Sequence, residues 1–104
     1  MTMTGQDFTV YQGMDREIAF TMSGVDQATD IVAATWKGGT ITKTLDSGLT
    51  AIDDDGVVKI VLTLLQADTE TLPAYIYTHQ LTATDVTTKR DMTATGIMTV
   101  MATL

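Results

Sequence analysis

The chain has 104 residues, enough for one domain with a single core. Thirteen acidic residues against six basic ones give a net charge of −7, a balance that repels a phosphate backbone and argues against a nucleic-acid partner. There is no cysteine, so a disulfide framework and a thiolate metal site are both excluded, which fits a cytosolic folding environment. The opening MTMTGQDFTV has neither a basic nor an apolar leader region, and no apolar run approaches the ~20 residues of a membrane span.

Threonine is the commonest residue, accompanied by Val and Ile, and β-branched side chains suit a pleated, half-buried surface. Residues 7–11, DFTVY, alternate with Phe8 and Val10 on one side and predict a short strand. Gln12-Gly13-Met14-Asp15 supplies a turn. From Arg16 to Ser23, Ile18, Phe20 and Met22 fall on one face with polar and small residues opposite, the period of a half-buried strand. Gly24 to Asp30 is polar and turn-rich. Residues 31–37, IVAATWK, predict a third strand with Val32, Ala34 and Trp36 on one face. Trp36, the single tryptophan, reads as an anchor between two sheets, the alternative being an exposed ligand platform.

Gly38-Gly39 closes that strand. Thr40 to Leu45, TITKTL, is mostly polar, the character of a sheet edge. Asp46-Ser47-Gly48 is a turn, and Leu49 to Ile52 a short extended piece. Asp53-Asp54-Asp55-Gly56 invites a calcium reading, but an EF-hand loop needs acids at alternate positions and a glutamate further on. Here the acids are consecutive, so the stretch reads as a hairpin turn ending in Asp-Gly.

Val57 to Leu64 is the most apolar strand. Gln66 to Leu72 has the character of a one-turn helical crossover, and Pro73 blocks its continuation. Tyr75 to Ala83 alternates cleanly, so Val58, Ile60 and Leu62 are expected to face Tyr75, Tyr77, His79 and Leu81 as two inner walls of one core. The two tyrosines follow Leu72-Pro73-Ala74, where a hydroxyl bonded to nearby backbone closes many sandwich corners. Asp85 to Asp91, with Lys89-Arg90, reads as a charged hairpin tip. The last strand runs from Met92 to the end, with Gly96 placed like a bulge and Met98, Val100, Ala102 and Leu104 on one face. The fold expected is all-β, an immunoglobulin-like β-sandwich of about seven to eight antiparallel strands in a single domain, residues 1–104, with a small barrel as the competing architecture.

No reactive constellation accompanies these strands. His79, the only histidine, sits on a predicted inner face without convergent ligands. Ser23 and Ser47 lie in turns with no base beside them, and the glycines form no phosphate loop. The expectation is a non-enzymatic protein without cofactor or metal. Binding is expected at the periphery. One candidate is the edge at Thr40, Thr42, Lys43 and Thr44. The other is the outer side of the last strand, where Ile97, Thr99, Met101 and Thr103 precede Leu104 and expose apolar surface.

The order of motifs resembles a known family. An extended DFTVYQGMD opening is followed by Gly56–Thr63 (G-V-V-x-I-x-L-T), a D-T-x-x-L crossover at Asp68–Leu72, L-P-A before Y-x-Y with Leu81, and a G-x-x-x-V close at Gly96–Val100. These residues are similar to the small immunoglobulin-like domains of tailed bacteriophages, as in the N-terminal domain of the baseplate upper protein family. Ala74 stands where that family has glycine, and no long C-terminal extension follows. The resemblance implies no catalytic residues. It implies a virion structural protein, a tail, neck or baseplate adaptor that binds other virion proteins in a symmetric, multi-copy or homo-oligomeric particle. Capsid decoration and a carbohydrate-binding or adhesion module are the alternative expectations.

Overall fold

Alternation in the sequence becomes strand structure along most of the chain. The computed structural model describes residues 2–3, 6–86 and 91–103. It contains β1 (Thr2–Met3), β2 (Phe8–Tyr11), β3 (Arg16–Ser23), β4 (Ile31–Gly38), β5 (Ile41–Leu45), β6 (Gly48–Asp54), β7 (Val57–Leu64), β8 (Ile76–Asp85) and β9 (Asp91–Met101). A single helical turn, α1 (Gln66–Thr69), links β7 to β8, and a 3-10 turn (Ala28–Asp30) precedes β4. Lys89 and Arg90 of the expected hairpin tip, and Leu104 of the expected interface, lie outside the described residues.

The strands bond in the order β1-β3-β7-β6-β5-β4-β8-β9-β2. The β6–β5 link consists only of Thr44 against Gly48 and Leu45 against Leu49, so the order turns a corner there and makes two walls. Ile18, Phe20, Ile60 and Leu62 come from the first wall. They join Phe8, Trp36, Leu81 and Met98 of the second in one buried cluster. This is an immunoglobulin-like all-β sandwich.

Two pairings depart from the antiparallel expectation. β2 runs parallel to β9, with Phe8 to Tyr11 against Met98 to Met101, and the β5–β6 corner is also parallel. The first arises because the N-terminal segment serves both walls. β1 pairs antiparallel with β3, and the chain then crosses to run along β9.

Four positions differ from the alternation read in the sequence; one is Ala102, which lies exposed past the end of β9. Val32 is exposed, because the β4–β8 register shifts between Ile31 and Ala33 and Ile31 takes the buried place. One irregular position exchanges the two faces of a strand. Tyr75 is 70% exposed and precedes β8, so the inner wall of that strand is His79, Leu81 and Ala83. Gly96 sits in unbroken register opposite His79 and is no bulge.

The turns follow their residues. Asp55 (φ 53°) and Gly56 (φ 82°) form a two-residue hairpin between paired Asp54 and Val57, the backbone that Asp-Gly favours. Asp53 accepts the Ala28 N–H at 3.1 Å, and Asp54 pairs with Lys59 at 2.7 Å. On α1, the buried Thr69 hydroxyl accepts the Gly13 N–H at 3.0 Å and donates to the Met14 carbonyl at 3.1 Å. These bonds fasten the crossover to the β2–β3 turn.

Candidate functional site

Among the buried polar residues, His79 is 2% exposed and flanked across the sheet by Gly38 of β4 and Gly96 of β9. Both glycines are required by close approach. A Cβ on Gly38 would come within 2.5 Å of the Trp36 ring, and one on Gly96 within 2.7 Å of His79 Nε2. Trp36 Nε1–H donates to His79 Nδ1 at 3.2 Å. That places the imidazole proton on Nε2, which donates to the Gln6 carbonyl at 2.6 Å. Phe8 and Phe20 pack on the ring at centroid distances of 4.8 and 5.9 Å.

The imidazole nitrogens are therefore both engaged, one joining β8 to β4 within the second wall and the other joining β8 to the N-terminal segment. Burial pushes the His79 pKa below the ordinary histidine value, against the Gln6 carbonyl bond and the Asp7 charge, which favour the cation. Tyr77 donates its hydroxyl to the Pro73 carbonyl at 2.8 Å. This is the corner tyrosine that in antibody-type sandwiches stands two residues before a disulfide cysteine. His79 follows two residues later, and its contact with Phe20 of β3 spans the two walls.

Among the described residues, no three His, Asp or Glu side chains converge as metal ligands, and no buried side-chain nitrogen or oxygen lacks a partner. The titratable groups of the interior are thus structural in geometry.

The expected edge is divided. Thr40, Thr42 and Thr44 are exposed, but Lys43 turns the other way. Its methylenes fill the space over Gly48, and its Nζ lies 2.9 Å from Asp68 Oδ1. Burial would raise the Asp68 pKa, but the Leu65 N–H and the Lys43 ammonium outweigh it and hold the carboxyl below the ordinary aspartate value. Lys43 thus ties β5 to α1. On the last strand, Ile97 and Met101 are exposed and Thr99 is half-buried between them. Thr103, past the strand end, bonds its hydroxyl to the Gln12 carbonyl.

The five strands of the second wall bring these residues onto one outer face. Across it Thr42 lies opposite Lys37, Lys37 opposite Gln80, and Gln80 opposite Thr95. Ile97 pairs with Thr78 and Thr99 with Ile76, while Met101 meets Tyr11 and Thr99 meets Thr9. Among the described side chains, Lys37 is the only charge on this face, in a chain of net charge −7. Asp7 stands at its rim, its carboxylate accepting the Ile97 N–H at 2.8 Å. The outer face of the other wall, in contrast, carries Glu17, Asp54 and Lys59.

The uncharged face has relief. A concavity of about 480 Å³ is lined by Lys37, Thr78, Gln80, Thr95 and Ile97. Beside it rise Tyr11, Ile76 and Met101. Sequence reading found the β9 residues of this face but missed Tyr11, Lys37, Ile76 and Gln80. Alternation marks each as outward-facing; it does not mark which strands lie side by side.

No protein-family model matches the chain, and a search of curated proteins finds no relative. Among solved structures, a chain from the crystal structure of the titin M10–obscurin-like 1 Ig complex is similar over 99% of this chain and 91% of its own, with TM-score 0.51 and 16% identity. A chimeric titin Z1Z2 carrying a KLER peptide from decorin covers 98% and 90%, with TM-score 0.48 and 18% identity. The first likeness shows the immunoglobulin-like fold and nothing finer.

Proposed function

We propose that this chain is a non-enzymatic structural subunit of a tailed-bacteriophage particle, a tail, neck or baseplate adaptor that binds other virion proteins. The observation that carries a protein-binding role is the outer face of the second wall. Depletion of charge is the compositional mark of an interface centre, and among the described side chains Lys37 is the only charge on this face of a strongly acidic molecule. The phage setting is supported by the motif resemblance, from the Gly56–Thr63 strand through the Asp68–Leu72 crossover to the Tyr77 corner.

Electron microscopy of particles assembled without this protein tests the proposal. A tail, neck or baseplate role gives defective tails, whereas capsid decoration gives complete but fragile heads. Intact, infectious particles overturn both.

Exposed Tyr11 and Tyr75 favour one further reading, a carbohydrate-binding module. Trp36 takes no part in it, being fully buried. A sugar panel followed by tyrosine NMR shifts tests this reading, and unmoved Tyr11 and Tyr75 signals dismiss it.

A further inference from the structure

We propose that the uncharged outer face of β5-β4-β8-β9-β2 packs against the same face of a second copy of this chain, forming a two-fold dimer. The inference rests on the protein-binding reading above, but it is tested without any particle, so either can fail while the other stands.

Charge selects this face for self-association. Two copies of net charge −7 repel wherever acidic surfaces meet. The described strand side chains of this face include no acid and Asp7 stands only at its rim, so pairing here keeps the acids of the other wall away from the contact. Each Lys37 also brings its positive charge to an acidic partner.

Size and shape agree. Strands ~4.8 Å apart with ~3.3 Å per residue cover on the order of 600 Å² in plan over these five strands. A standard stable interface buries ~800 Å² per partner, so a dimer of that kind would use essentially the whole face. The ridge of Tyr11, Ile76 and Met101, exposed by 49, 62 and 45%, borders the hollow at Lys37 and Gln80. A two-fold contact places one copy's ridge in the other's hollow twice over, the self-complementarity an isologous interface requires.

Sedimentation velocity and light scattering on the full chain, from about 1 to 500 µM, read the outcome. A concentration-dependent dimer is expected. Gln80→Glu and Ile97→Asp, which set acids in the middle of the face, are expected to weaken it about tenfold or more, with unchanged circular dichroism and thermal midpoint. Lys37→Glu does the same and serves if Ile97→Asp unfolds the chain. Thr21→Asp, exposed on the opposite wall, is expected to leave the dimer intact. A wild-type chain that stays monomeric over the whole range overturns the proposal. So does a dimer indifferent to acids on this face, or one lost equally on Thr21→Asp.

Discussion

The indole Nε1 of Trp36 and the imidazole Nδ1 of His79 are bonded to each other at 3.2 Å between β4 and β8, and this bond decides which imidazole nitrogen carries the proton. The other nitrogen then has one partner within reach, the Gln6 carbonyl at 2.6 Å. A buried histidine is tolerable in a core when both nitrogens are satisfied in the neutral form. Here the neutral form is the one that the bonds select.

Trp36 should be the most costly single truncation. Trp36→Ala removes a fully buried ring and orphans His79 Nδ1, and is expected to cost about 3–5 kcal/mol. Trp36→Phe keeps much of the packing and loses the N–H, so a smaller loss of about 1–3 kcal/mol is expected. Urea denaturation measures both. An unchanged midpoint in Trp36→Ala would contradict its placement between the walls.

Stability should fall on acidification in two separable steps. The His79 pKa lies below the ordinary histidine value, chiefly because burial disfavours the cation. The unfolded chain therefore takes up this proton first. The stabilisation is complete above ~6.5 and declines as pH drops from there to the folded-state value. His79→Gln should flatten this part of the stability curve, whatever its effect at neutral pH. Asp68 acts lower. Its pKa is held down by Leu65 N–H and Lys43 against the opposing effect of burial, so its contribution is present above ~3.9 and is lost as pH falls further. Asp68→Asn should remove that second step only. Denaturation at a series of pH values for the three proteins gives the result.

The glycines beside His79 should resist substitution. In Gly96→Ala, the added methyl meets the Gln6 carbonyl and His79 Nε2, and in Gly38→Ala it meets the Trp36 ring. Overpacking of this kind costs about 1–3 kcal/mol or more. Thermal melts should show both variants well below wild type.

The tyrosine pair should separate by role. Tyr77→Phe deletes the bond to the Pro73 carbonyl and is expected to cost about 1 kcal/mol. Tyr75→Ala, at a 70% exposed position, should change stability by less than about 0.5 kcal/mol. Equal losses in the two variants would mean that the corner bond is not what holds the crossover.

Much of this fold is legible in one dimension because a strand's side chains alternate with period two. Ile18, Phe20 and Met22, or Val58, Ile60 and Leu62, declare their buried face without reference to any partner. Turn chemistry is equally local, and Asp55-Gly56 forms the hairpin that its φ preferences suggest. Val32 escaped this logic because the register shift on β4 that turns it outward is set against β8. Lys43 escaped it because the acid that claims it, Asp68, lies on a separate crossover.

By itself, the sequence determined the class of fold, nearly all its strands, and the inward course of Phe8, Trp36, His79 and Leu81, since these depend on spacing along the chain. Only the tertiary structure decided which strands are neighbours. From that came the parallel run of β2 on β9, the pairing of His79 with Trp36, and the gathering of Tyr11, Lys37, Ile76, Gln80 and Ile97 onto one uncharged face. Strand pairing joins residues distant in sequence, and alternation along a single strand carries no information about the strand beside it.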